Sequence, residues 1–211
     1  MNKGNIHLIH IGKCGGSSVR SELIKKNFNF TCFHSQKVKY DKNANYIIVI
    51  RNPIQRFISA FNWRCNLVCL EKSQKTRFNN EYNLLNKYKN IDTLCRDLKD
   101  NPNIFNGDFN SNNYIHHLKE DIHFHLEDII DKCSKSQIVC VVLTETIKED
   151  LKTYFGIESS IHEKNNCKFH KKITDENYKI LKNYLKKDYE VVEKMFLKGW
   201  IDEEKYDILR K

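Results

Sequence analysis

Two short stretches hold the residues best suited to chemistry. In the first, residues 10–18 (HIGKCGGSS), Lys13 and Cys14 are followed by the pair Gly15 and Gly16 and by the hydroxyls of Ser17 and Ser18. Glycines let a backbone approach an anion closely, the N–H groups that open a helix carry partial positive charge, and Lys13 adds a full one. The combination suits a phosphate. Lysine precedes the glycines here, whereas the loop GxxxxGK[ST] places it after them, so an ordinary ATPase loop is not expected. In the second stretch, residues 49–61 (VIRNPIQRFISAF), Arg51 stands at the carboxyl end of an apolar run and Ser59 lies two helical turns farther on. Open α/β sheets bind ligands at the carboxyl ends of their strands, so Arg51 and Ser59 are placed to share one phosphate group. Each stretch alone also has a plainer reading, a structural turn for the glycines and a structural ion pair for Arg51.

Taken together and in this order, the two stretches resemble a known pair. The segment HIGKCGGSS is similar to the 5′-phosphosulfate loop of sulfotransferases, of the form HxPKTGGTS, and VIRNPIQRFISAF is similar to their 3′-phosphate motif, RDPxxRxxSxY. Residues 141–157 (VVLTETIKEDLKTYFGI) and 173–195 (ITDENYKILKNYLKKDYEVVEKM) resemble the closing segments of carbohydrate-type members, while residues 66–110 match only in general character. Gly12 stands where the family has proline, Cys14 and Ser17 where it has threonine, and Asn52 where it has aspartate.

The resemblance implies a donor, 3′-phosphoadenosine 5′-phosphosulfate (PAPS), a product, adenosine 3′,5′-bisphosphate, and no metal. It implies that Lys13 sits beside the oxygen bridging phosphate and sulfate, that Cys14, Gly15, Gly16, Ser17 and Ser18 surround the 5′-phosphate, and that Arg51 and Ser59 hold the 3′-phosphate. Related enzymes present a histidine or carboxylate base from the strand between the motifs, and His34 in Phe33-His34-Ser35 is the candidate here. Glu145 is the reserve carboxylate. The implied acceptor is a hydroxyl, on a glycan or glycolipid.

These residues require elements to position them. Residues 6–11 read as a strand, followed by the glycine loop and a helix through Val19, Leu23 and Ile24; residues 28–33 read as a weaker strand. Tyr46 to Ile50 (YIIVI) is a continuous apolar run, the pattern of a parallel strand covered on both faces. Asn52 then offers an N-cap and Pro53 a first-turn proline. On the helix that follows, Ile54, Phe57, Ile58 and Phe61 form an apolar face and Gln55, Arg56, Ser59 and Asn62 a polar one open to ligand. Helices and loops follow to Leu126, broken near Pro102 and Gly107; residues 138–143 (IVCVVL) form a buried strand, and a helix through Leu151 stops at Gly156. One long helix is expected from Thr174 to Lys198. The class is α/β: a P-loop-like three-layer fold with a central, mainly parallel sheet flanked by helices, in one domain spanning residues 1–211.

Composition bounds the remaining possibilities. The chain has 211 residues and a formal charge of +9, which suits an anionic partner without choosing one. No run of about 18 apolar residues marks a membrane span and no leader pattern opens the chain, so a cytoplasmic protein with its eight cysteines reduced is expected. His116, His117, His123 and His125 raise the possibility of a metal, chiefly through the HxH at His123 and His125, but no third ligand stands beside them. Lys168, His170, Lys171 and Lys172 form a basic segment that fits either a flap over a nucleotide or a solvated surface. Two other classes compete, a small-molecule or nucleotide kinase and a basic nucleic-acid-binding module; the residue order disfavours the first, and no recognisable nucleic-acid motif supports the second.

Overall fold

The computed structural model describes residues 5–105, 107, 110–158 and 173–211. The basic segment at Lys168, His170, Lys171 and Lys172 lies outside the described residues. Four strands, β1 (Asn5–His10), β2 (Thr31–His34), β3 (Ala44–Ile50) and β4 (Ile138–Leu143), form one parallel sheet in the order β2-β1-β3-β4. Consecutive residues of β3 from Tyr46 to Ile50 are all buried, as are Leu8, Ile9 and His10 of β1. Because successive side chains point to opposite faces, both faces of the central strands are covered. The architecture is the α/β fold expected.

Strand order places the site. From β1 the chain passes to β2 on one side through α1 (Gly16–Lys25), and from β3 it passes to β4 on the other side, entering α2 (Pro53–Arg64). The carboxyl ends of β1 and β3 are therefore a topological switch point, where the two outgoing chains diverge and leave a crevice. His10 pairs with His34 across β1 and β2, and with Val49 across β1 and β3, so both motifs leave the sheet at one edge.

Local chemistry sets the helix ends. Asn52 accepts a hydrogen bond from the Gln55 N–H at 3.0 Å with Pro53 in the first turn, and Gly156 closes α6 (Ile147–Phe155) in the left-handed region at φ 63°. The strand expected at residues 28–33 begins later, at Thr31. Asn27 adopts φ 56° and the Phe28 N–H donates to Leu23 O at 3.0 Å, so residues 27 and 28 close α1 and cannot join the sheet. At the sheet's other edge, side chains occupy the polar groups of β4: Lys205 Nζ donates to Val141 O at 2.6 Å and Asp150 accepts from the Leu143 N–H at 2.8 Å. Lys205 and Asp150 are themselves paired at 2.6 Å, which keeps that edge from pairing with another strand.

Two apolar cores result. One lies about the sheet, with α1, α5 (Ile122–Ile130) and α8 (Lys186–Leu197); the other packs α2 against α3 (Glu81–Tyr88), α4 (Ile91–Asp100) and α7 (Asp175–Tyr184). The single helix expected from Thr174 to Lys198 is instead two, broken at Leu185, whose φ of −90° and ψ of 19° leave the helical region. The reason is packing. Leu181 and Leu185 belong to the second core whereas Val191, Val192 and Met195 belong to the first, and a bend lets one stretch of chain serve both. A last helix, α9 (Glu203–Arg210), inserts Leu209 into the sheet core.

Candidate active site

The loop after β1 is shaped by close approach. Lys13 and Gly15 adopt positive φ, 69° and 79°, and a Cβ at Gly16 would fall 1.9 Å from the His10 ring. Only glycine fits beneath that imidazole. Gly15 occupies the N-cap position with no side-chain cap, so the first N–H groups of α1 have no side-chain acceptor there. Ser17 is exposed, Ser18 and Lys13 half-buried. Cys14 departs from expectation: its side chain is fully buried in the sheet core and its N–H donates to Ile11 O at 3.2 Å, so neither group is offered to a ligand. Burial pushes its thiol up to about 12, which keeps it neutral and inert.

The second motif also needs correction. Arg56 and Asn62, expected on an open polar face, are buried at 0% and 3% exposure. The helix packs nearly all round, and what stays open is the narrow stripe Gln55, Ser59 and Trp63, spaced one turn apart. Arg56 turns inward and donates from Nη1 to the carbonyls of His117 at 2.8 Å and Glu120 at 3.4 Å. Arg51 keeps a quarter of its side chain exposed, and its Nε lies 3.8 Å from Glu145 Oε1. Glu145 also accepts the Asn52 N–H at 3.1 Å; desolvation raises its pKa against the pull of that bond and of Arg51. Standing after β4, Glu145 forms a long ion pair with Arg51 and lies across the sheet from His34.

Loop and helix meet directly. The Lys13 Nζ sits 4.5 Å from the centre of the Trp63 ring, one turn beyond Ser59 on the open stripe. Trp63 was not among the residues singled out by sequence, although its spacing from Ser59 could have drawn attention to it.

His34 ends β2 beside His10. Its ring stacks on that of His10 at 4.1 Å, and its Nδ1 lies 3.0 Å from His10 O. A carbonyl can only accept, so Nδ1 carries the proton and Nε2 of the neutral ring keeps a lone pair. His34 is exposed, whereas His10 is buried and its pKa is pushed down to about 3, by desolvation first and then by His34, His125 and Arg20. His10 is thus a neutral support.

A turn between the second core and α5 adds further histidines. Ligand atoms of His116, His117 and Glu120 lie within 4.8 Å of one another, whereas His123 turns to Glu127 at 3.6 Å and His125 is buried, so the histidines that cluster are not the HxH pair. The oxygens of Glu120 are already engaged, one by the Tyr114 hydroxyl and the other by the His117 N–H at 2.7 Å. Desolvation raises the Glu120 pKa, but bonds from His116 and Tyr114 outweigh it and the net shift is downward. Glu120 therefore serves as a structural anion. Farther back, Glu81 accepts from Arg64 Nε at 2.9 Å and Nη2 at 2.6 Å and from the His116 N–H at 2.9 Å, a buried pair that pins the turn to α2.

The parallel sheet, with the glycine loop at its switch point and Arg51 leaving the same edge, has an α/β architecture of the phosphate-loop type. The sequence matches the sulfotransferase family over residues 12–195, and the chain belongs to that family. No curated protein and no solved structure gives a significant match. Among the described residues, no helix is long and apolar enough to cross a membrane, and the seven cysteines are free thiols.

Proposed function

We propose that the chain moves a sulfuryl group from PAPS to a hydroxyl of a carbohydrate acceptor, a glycan or glycolipid, with His34 as general base and the whole chain acting as one catalytic domain. The observation that carries this reading is the meeting of the two motifs. The Lys13 ammonium lies over Trp63, one turn from Ser59, while Arg51 leaves the neighbouring strand of the same edge. Two phosphate-binding groups that face one crevice suit a nucleotide phosphorylated at both ends. The net charge of +9 favours such an anion, and the carbohydrate preference rests on the resemblance of residues 173–195 to carbohydrate-type members.

In this reading Arg51 and Ser59 hold the 3′-phosphate, and the backbone of Gly15 and Gly16 with the hydroxyls of Ser17 and Ser18 holds the 5′-phosphate. The acceptor oxygen attacks sulfur from the side opposite the bridging oxygen. As the new S–O bond forms, the bond from sulfur to the bridging oxygen breaks, and its electron pair leaves with the phosphate, where Lys13 stabilises the developing charge. The hydroxyl proton passes to Nε2 of His34, whose Nδ1–H stays bonded to His10 O. The imidazolium releases that proton to water after transfer.

Labelled sulfate supplied as PAPS with a panel of glycans tests the reading. Transfer to a sugar hydroxyl is expected from the wild type, with loss in Lys13→Ala; no transfer to any sugar, with transfer to phenols or peptides instead, would overturn the carbohydrate assignment.

A further inference from the structure

One side chain at this edge is constrained more heavily than packing requires. His117 has a backbone φ of 67°, a conformation that a residue with a Cβ rarely adopts, and it is clamped from both sides. Its N–H donates to Glu120 Oε2 at 2.7 Å, and its carbonyl accepts from the buried Arg56 at 2.8 Å. The clamp delivers the ring to the phosphate loop. A Cβ at Gly12 would fall 2.3 Å from His117 Nδ1, so residue 12 must be glycine while this imidazole is present. The departure from the family's proline at position 12 and the placement of His117 are two halves of one arrangement.

The ring stacks on His116 at 3.8 Å and, beyond it, meets residues of the proposed reaction. Its centre is 5.5 Å from that of His34 and 5.3 Å from that of Trp63, which carries Lys13. Nδ1 is buried against Gly12 with no hydrogen-bond partner among the described residues, and a proton there would be aimed at the glycine Cα. The hydrogen therefore belongs on Nε2. Desolvation, reinforced by His116, His34, Arg56 and Lys13, pushes the His117 pKa far below the ordinary histidine value. The ring stays neutral throughout the working pH range.

We propose that His117 is a second catalytic histidine, whose neutral Nε2–H donates a hydrogen bond to an oxygen of the sulfuryl group as it passes to the acceptor. This rests on the sulfuryl-transfer reading above and divides the labour between two imidazoles. Exposed His34 takes the acceptor's proton; buried His117 takes none and stabilises charge on the group in flight. Neighbouring titratable groups whose environments differ in this way commonly serve different steps.

The test is His117→Phe, which keeps a ring in the space, beside His117→Gln, which keeps an N–H donor. His117→Phe is expected to lower kcat by about 10²-fold, the lower end for removal of a preorganised donor, while its affinity for adenosine 3′,5′-bisphosphate stays within about threefold of wild type. His117→Gln should recover part of the loss. A second pair guards against a folding defect: Gly12→Ala should impair bisphosphate binding because the new methyl meets the ring, and Gly12→Ala with His117→Ala should restore binding but not turnover. Wild-type turnover in that double variant, or in His117→Phe, would overturn the inference and leave the sulfotransferase reading intact. Absence of bisphosphate binding by the wild type would instead overturn the reading on which it rests.

Discussion

The loop after β1 and the turn before α5 bring cationic and polar groups to one sheet edge by opposite means. The loop does so locally: two glycines, positive φ at Lys13 and Gly15 and an uncapped helix start lie within a few positions, with Ser17 exposed and Ser18 half-buried. The turn relies on distant partners. Arg64 and Arg56 reach from α2 to Glu81 and to the carbonyls of His117 and Glu120, and the groups they hold are buried and hydrogen-bonded. Removing one partner from a buried ion pair such as Arg64–Glu81 leaves a charge without its counter-ion, a cost that an exposed loop does not carry. The loop should therefore fail in function when altered, and the arginine contacts that hold the turn in stability.

The largest effect should come from the functional side of that contrast. His34→Ala is expected to reduce kcat by about 10²–10⁴-fold, the range for loss of a general base, while melting within a few degrees of wild type. A melting temperature that fell in step with activity would erase the distinction. On the supporting side, Glu81→Gln should destabilise the fold by about 3–5 kcal/mol in urea denaturation, because it leaves the guanidinium of Arg64 buried without its counter-ion. A loss under ~1 kcal/mol would show that the pair is not the anchor described.

A smaller effect concerns the buried histidines. His125 is fully buried, and desolvation first, then Arg56, lowers its pKa from 6.5 to about 4. The unfolded chain therefore binds a proton between those values that the folded chain refuses; this share of stability is present above pH 6.5 and is lost as pH falls towards about 4. The raised carboxyl pKa values of Asp121 and Asp188, caused by desolvation, act in the opposite sense, so the whole-protein curve does not isolate the histidine. Comparison with His125→Phe does: the variant should gain on wild type by about 1 kcal/mol per pH unit over the upper part of that window. Equal slopes would mean that the imidazole is not held neutral. The smallest effect is a control in the second core, Asn90→Ala, which removes the bond from the Thr93 N–H at 2.9 Å that caps α4. It should cost ~1 kcal/mol of stability and leave turnover unchanged.

The same contrast decides what the sequence discloses. The run YIIVI, Asn52 before Pro53, the stop at Gly156 and the loop with its lysine are short-range signals, and each element formed where its local chemistry placed it. His34 was nominated through the family resemblance, and the strand it was expected to end is β2. Arg56 and Asn62 were misread because amphipathicity on one helix does not say how many neighbours will cover it, and α2 is covered nearly all round. The break at Leu185 arises from two cores that a helical periodicity cannot distinguish. Trp63 was legible in its spacing from Ser59, whereas His117 comes to the edge through contacts of Arg56, Arg64 and Glu81 between remote elements, and no local pattern announces those.

The central claim is that Arg51 and the loop of Lys13 hold opposite ends of one doubly phosphorylated nucleotide. Calorimetric titration of wild type and Arg51→Ala with adenosine 3′,5′-bisphosphate and with adenosine 5′-phosphate tests it most directly. The wild type should prefer the bisphosphate by about 10–100-fold, the worth of a charge-assisted contact, and Arg51→Ala should bind both ligands alike at the weaker level. A preference that survives in Arg51→Ala, or that the wild type lacks, would contradict the account.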